Sequence, residues 1–267
     1  MWNRHQNGEV WYTSPLLDSA GVRHLFATRI GGVSEGCFGG WNFAAGVGNV
    51  TDSEQNVLAN YEIAADKFGL HASDVCRSYQ AHTDFVMTVD DTHRGVGTVL
   101  PKFPFGVDGL VSATENLLLS VRSADCVPIL LYDPVQKVCS AVHAGWRGTV
   151  GGIAANAVLE MQKHGCKAAD ILAAIGPCIG VCCYEVGTEV YDAFLQVDAC
   201  FASCFVPHGD RYLLDLTRAN TLFLTRAGVA EHHIDACGMC TRCDETEWFS
   251  HRRMGANRGT MSAFITV

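Results

Sequence analysis

Apolar and polar positions change period several times along the chain, and each change marks an element. Residues 9–29 alternate in the manner of a strand until Gly31-Gly32-Val33-Ser34-Glu35-Gly36 breaks the pattern into a Gly-rich loop. Between Asp52 and Phe68 the apolar residues Val57, Leu58, Tyr61, Ile63, Ala64, Ala65 and Phe68 recur at helical spacing, and Gly69 follows as a C-cap. Residues 85–89 read as a strand and 95–107 as a Gly/Pro loop. The centre is richer in apolar residues: 116–121 and 129–132 are candidates for buried strands, Asp133-Pro134 turns the chain, and 138–143 returns as a third. Ala144 to Gly148 then forms a tight loop leading into one helix over 149–164. A strand at 171–175, a Cys/Gly-rich loop, a helix from about Glu185, a strand at 212–216, a helix near 217–227 and a closing strand at 262–267 complete the pattern. Strands and helices interleave over 1–267 without a compositional break, which predicts a single α/β domain built on a mixed sheet.

Composition supports a large core, since 48% of the residues are hydrophobic and only 18% are charged. The net charge of -9 argues against a phosphate-backbone binder, so no nucleic-acid partner is expected. It leaves room for a small anion, whose binding depends on a few local Arg residues. The N-terminal MWNRHQNGEVWY lacks the apolar run of a signal peptide, and no stretch reaches the ~18 apolar residues of a membrane span. A cytoplasmic protein with no membrane partner is the expectation. In that compartment thirteen cysteines, an odd number, read as buried thiols or metal ligands rather than a disulfide framework.

Two predicted strand ends carry polar residues into apolar surroundings: Ser123-Ala124-Asp125-Cys126 and His143-Ala144-Gly145-Trp146-Arg147-Gly148. The 17 residues from Cys126 to His143 cover a strand, a turn and the return strand, so both side chains can face one point. His82, in Gln80-Ala81-His82, is a third candidate. A thiolate and two imidazoles make a normal zinc set, and three protein ligands leave the fourth tetrahedral position open, as catalytic sites do. Spacing alone leaves another reading standing, in which the histidines are hydrogen-bonded structural residues and Cys126 a core thiol. In the loop after His143, Arg147 and the backbone N–H groups at the helix start suggest an anion site, although the same residues suit a plain strand-to-helix turn.

Other motifs fail on context. Gly32-Val33-Ser34-Glu35-Gly36 fits a nucleophile elbow, but no helix follows it. Cys237, Cys240 and Cys243 form C-x2-C-x2-C, which hints at an iron–sulfur cluster, yet Glu247 stands where a fourth ligand belongs and no Cys-Pro follows. Neither a P-loop nor H-E-x-x-H occurs, and the H-x-E of nucleobase deaminases is absent.

The ordered motifs TRIGGVSEG (28–36), QAH (80–82), DGLVS (108–112), SADCVPILLYDP (123–134), HAGWRG (143–148), IGPCIGVCCYEVG (175–187), LDL (214–216) and CTRCDETEWFSHRR (240–253) resemble the YfiH-like, or laccase-domain, family. The resemblance runs from about Phe26 to the C-terminus. It implies a single-domain mixed β-sheet sandwich flanked by helices. It also implies a purine nucleoside phosphorylase with adenosine deaminase activity, in a family once labelled multicopper polyphenol oxidases. His82, Cys126 and His143 would hold zinc, with copper as the less suitable ion. Asp125 and Arg147 would be catalytic, and Arg147 with Arg29 would bind phosphate. The partners would be purine nucleosides and phosphate, and the chain a monomer. Two positions depart from the family pattern: Thr83, where Gly is common, and His251, where Tyr is usual. The second bears on substrate contacts, because His251 adds a titratable donor. Rival chemistries for the same residues are a metal-free Cys126–His143 thiol hydrolase, a copper polyphenol oxidase and a non-catalytic zinc-stabilised binding protein.

Overall fold

A computed structural model describes residues 1–46 and 48–267. Two six-stranded mixed sheets stack face to face. In the first the strands run Asn3–Asn7, Glu9–Thr13, Arg23–Ala27, Met261–Thr266, Leu118–Ser123, Val75–Arg77. In the second they run Ile234–Ala236, Leu172–Ile175, Val127–Asp133, Val138–Ala144, Gly109–Ser112, Val86–Thr88. A small third sheet joins Glu185–Val186, Arg211–Leu214 and Phe205–His208.

The central strands are buried on both faces, which is why they read as near-continuous apolar runs. Successive residues alternate between two cores, following the two-residue period of the pleat. Along Val127–Asp133, Leu130 and Tyr132 point toward the first sheet, while Val127, Ile129 and Leu131 point outward. Phe26, Val121 and Ala263 supply the facing wall of the inter-sheet core. Outside the second sheet, helices Ile153–Gln162, Thr188–Val197 and Leu216–Arg226 cover its apolar face. Outside the first, helix Glu54–Asp66 packs Tyr61, Ala64 and Ala65 against Leu25, Leu118 and Phe264. The expected sandwich with flanking helices is therefore the observed architecture.

Four local expectations need correction. The alternating stretch 9–29 is two strands, because Pro15 ends the first and opens the short helix Pro15–Ser19. The helix expected over 149–164 is two helices, Trp146–Val150 and Ile153–Gln162, parted at Gly151-Gly152 where Gly152 turns left-handed at φ 78°. Glu185 begins a two-residue strand, and the helix starts at Thr188 after Gly187. Asn116 has φ 58° and lies in a turn, so that strand starts at Leu118.

Candidate metal centre

Strand register brings the predicted ligands together. Val127 pairs with Ala144 and Pro128 with His143, so Cys126 projects just past the end of its strand beside Gly145. The next strand over, Gly109–Ser112, pairs antiparallel with Val138–Ala144 and places Asp108 beside His143. His143 N–H donates to the Asp108 carbonyl at 2.8 Å, and His143 Nδ1 meets Asp108 Oδ1 at 2.8 Å. That contact leaves Nε2 as the ring nitrogen available to a cation.

Asp108 is fully buried and also shapes the loop that carries His82. Its Oδ1 accepts from His82 N at 3.1 Å, and its Oδ2 from Ala81 N, Thr83 N and Thr83 Oγ1 at 2.9 Å each. These bonds hold His82 at φ 60°, a conformation non-glycine residues rarely take and which persists here because several contacts enforce it. Gln80 anchors the other side of the loop to the first sheet, donating to Arg122 O at 2.6 Å and accepting from Arg122 N at 2.9 Å. The loop is thus fixed between both sheets. Asp108 is the site residue that the sequence reading passed over. The signal available was a lone acid inside the apolar run Val107–Val111, but its partner His143 lies 35 positions away.

The potential ligand atoms of His82, Cys126 and His143 all lie within 4.8 Å of one another. The His82 and His143 rings sit edge to face with centroids 5.0 Å apart. A Cβ at Gly145 would stand 2.7 Å from His82 Nδ1 and 3.2 Å from Cys126 Sγ, so the missing side chain keeps the space among the ligands clear. Burial pushes the Cys126 thiol up, yet His143 and His82 outweigh it and hold the thiol below its ordinary value. Burial likewise opposes the charge on His143, while Cys126 and Asp108 hold it above its ordinary value. For Asp108 too burial acts upward, but its bonds from His143 and the loop amides bring it down to about 2. A thiolate facing two imidazoles, one oriented by a carboxylate, suits a borderline-soft cation such as zinc.

A cleft of about 440 Å³ opens over His82 and Cys126, with His143 buried behind them. Its walls include Trp146, Ile179 and Tyr184, with Arg147, Arg252 and Arg258 supplying positive charge. Arg147 is exposed, its guanidinium lies 4.2 Å from the Trp146 ring centroid, and it makes no side-chain hydrogen bond among the described residues. Arg258 Nε is buried without a hydrogen-bond partner among the described residues. The helix opening at Trp146 is five residues long, so support for anion binding comes from these guanidinium groups rather than from a helix terminus. His251 also lines the cleft.

Asp125 borders the cleft at φ 95°. Its carboxylate accepts from Thr241 Oγ1 at 2.6 Å, Ser250 Oγ at 3.1 Å and Arg252 N at 2.6 Å. Those bonds tie the ligand-bearing turn to the C-terminal segment. Arg29 is not brought to the cleft: its guanidinium lies 4.6 Å from the Phe249 ring centroid and donates to the carbonyls of Glu245 and Gly39.

Fold and site together define an α/β protein with two histidines and a cysteine that could hold a metal ion, at the floor of a cationic cleft. Residues 23–267 match the family described as multi-copper polyphenol oxidoreductase laccase. The purine nucleoside phosphorylase YlmD of Geobacillus stearothermophilus is 36% identical over 97% of this chain and 95% of its own length. Adenosine deaminase RL5, from an unknown prokaryotic organism, is 35% identical over 90% of this chain and 91% of its own. The crystal structure of hypothetical protein YfiH from Bacillus licheniformis superposes with a TM-score of 0.88 at 33% identity, covering 99% of this chain and 98% of that one. The chain belongs to this YfiH/YlmD, laccase-domain family of enzymes.

Proposed function

We propose that the chain is a zinc-dependent purine nucleoside phosphorylase, acting on adenosine, inosine and methylthioadenosine, that also deaminates adenosine. The observation that carries this reading is the convergence of His82, Cys126 and His143 beneath a cleft lined by three guanidinium groups and aromatic walls. When bound there, zinc supplies a Lewis acid with one open coordination position. Trp146, Tyr184 and Ile179 offer flat and apolar surface for a purine base. Arg147, which makes no side-chain hydrogen bond among the described residues, is placed to take a phosphate bidentately, with Arg252 and Arg258 adding charge. In phosphorolysis a phosphate oxygen bonds to the ribose C1′ as the C1′–N9 bond breaks and its electron pair leaves with the base. Orienting the phosphate against C1′ lowers that barrier, by on the order of 7–11 kcal/mol in ideal alignment. Asp125 acts by position, holding the Cys126 turn against the 241–252 segment. Arg29 serves the Gly-rich loop rather than phosphate. The names of YlmD and RL5 support the two activities in turn.

The Asp108–His143–Cys126 alignment also suits a metal-free thiol nucleophile. That reading leaves His82 and its enforced backbone without a task. A copper oxidase would require further histidine clusters, and among the described residues no other group containing histidine gathers three ligands. The test is product analysis with adenosine. Adenine and ribose 1-phosphate formed only with phosphate, and inosine formed without it, support the proposal. Adenine released regardless of phosphate, or activity that survives metal removal but dies on thiol alkylation, overturns it.

A further inference from the structure

The C-x2-C-x2-C run at 237–243 does not act as one unit. Cys237 packs against the inter-sheet core, where Met239 N donates to its Sγ at 3.4 Å. Cys240 and Cys243 turn instead toward Cys182 and Cys183, in the loop that follows strand Leu172–Ile175. Cys243 Sγ lies 3.6 Å from Cys182 Sγ and 3.5 Å from Cys183 Sγ. All four sulfurs fall within 4.8 Å of one another.

We propose that Cys182, Cys183, Cys240 and Cys243 bind a second, structural cation of the zinc class in an all-thiolate site separate from His82, Cys126 and His143. A tetrahedral ion with bonds of about 2.3 Å spaces its four sulfurs roughly 3.8 Å apart, close to the separations seen. A multi-iron cluster would spread its thiolates further, since they are shared among two or four irons instead of meeting on one ion. The backbone serves the sulfurs as a metal knuckle does: Gly180 N–H donates to Cys240 Sγ at 3.2 Å. A Cβ at Gly180 would stand 3.2 Å from Cys182 Sγ and 3.5 Å from Cys240 Sγ, so this glycine gives the cluster its room. Arg242 donates to Cys183 Sγ at 3.4 Å, offsetting part of the negative charge of four thiolates.

The position explains what such an ion does. One strand of the staple is the loop that supplies Ile179 and Tyr184 to the cleft; the other is the segment that supplies His251 and Arg252. Beside the four-cysteine cluster, the two are joined by backbone bonds, Cys178 N to Met239 O at 3.3 Å and Thr241 N to Cys178 O at 2.9 Å. A cation held by both segments locks these two walls of the cleft together without touching substrate. Four thiol protons leave as it binds, and no oxidant is required.

The experiment uses the full chain purified under reducing conditions, with zinc counted per chain and cobalt(II) substituted for spectroscopy. Wild type is expected to hold two zinc ions per chain. Cobalt-loaded wild type should show the strong charge-transfer absorption of a four-thiolate site, and Cys126→Ala should keep that absorption while losing one ion. Cys243→Ser and Cys182→Ser should each lose one ion and most of the absorption, raising KM more than they lower kcat. The wild-type spectrum needs no variant to fold. One ion per chain with a single-thiolate spectrum overturns the proposal. So does recovery of Cys182 or Cys183 in a disulfide with Cys240 or Cys243 from the reduced preparation. Neither result touches the His82–Cys126–His143 site, whose own failure would leave the four-thiolate spectrum in place.

Discussion

Asp108→Asn removes one charge at nearly constant volume, and its consequences can be worked from five hydrogen bonds. Oδ1 serves His82 N and His143 Nδ1, and Oδ2 serves Ala81 N, Thr83 N and Thr83 Oγ1. An amide has only one oxygen, so its NH2 must face one of these sets. Turned toward Oδ1, it confronts His143 Nδ1–H and drives the ring to the tautomer that blocks Nε2. Turned toward Oδ2, it leaves two backbone amides without acceptors, at about 1–3 kcal/mol each, or roughly 2–6 kcal/mol together. That is a large part of a native stability of about 5–15 kcal/mol. Loss of a carboxylate behind a ligating histidine further weakens metal binding by about 10–100-fold. Chelator competition measures the affinity and thermal unfolding the stability. The carboxylate also predicts an acid response. Its value falls from 3.8 in the free side chain to about 2 in the fold, so its stabilisation is present above about pH 4 and is lost as pH drops toward 2. The Asn variant should show less acid destabilisation across that window. Wild-type metal affinity together with wild-type melting in Asp108→Asn would refute the role given to this residue.

Gly145→Ala places a Cβ 2.7 Å from His82 Nδ1, so the protein should fold but retain little metal, as elemental analysis would show. Arg147→Ala should lower kcat/KM for phosphate by roughly 10–100-fold, the equivalent of one charge-assisted hydrogen-bonded contact, while stability stays within about 0.5 kcal/mol. Phe264→Ala empties a fully buried site packed edge-on by Phe43 and Tyr61, and denaturant unfolding should report a loss of about 3–5 kcal/mol.

Much of this fold could be read from patterning because the central strands are buried on both sides. Runs such as Val127–Asp133 have no solvent face to blur them, and their bounds came within two residues of expectation. Where the reading slipped, a local backbone event outweighed hydrophobic period: Pro15 starting a helix, Gly152 turning left-handed, Gly187 delaying another. The convergence of the candidate ligands was legible because two of them stand at the ends of adjacent strands of one hairpin, a relation that spacing can express. Asp108 was not, since a buried acid announces nothing until its long-range donors are placed. The four-cysteine cluster was half visible for a related reason. Cys240 and Cys243 suggested a site, but Cys182 and Cys183 meet them only once two loops some 60 residues apart are folded together. Arg29 shows the opposite failure, a charged residue in a Gly-rich loop whose guanidinium is spent on carbonyls and Phe249.

Metal content and adenosine turnover, assayed on the same samples of wild type and Cys126→Ala with and without phosphate, probe the zinc-phosphorylase assignment at its root. The prediction is one zinc fewer in the variant, with phosphate-dependent adenine release and phosphate-independent inosine release both abolished. Turnover that persists in the variant, or a wild type that binds zinc at this site and forms neither product, would contradict it.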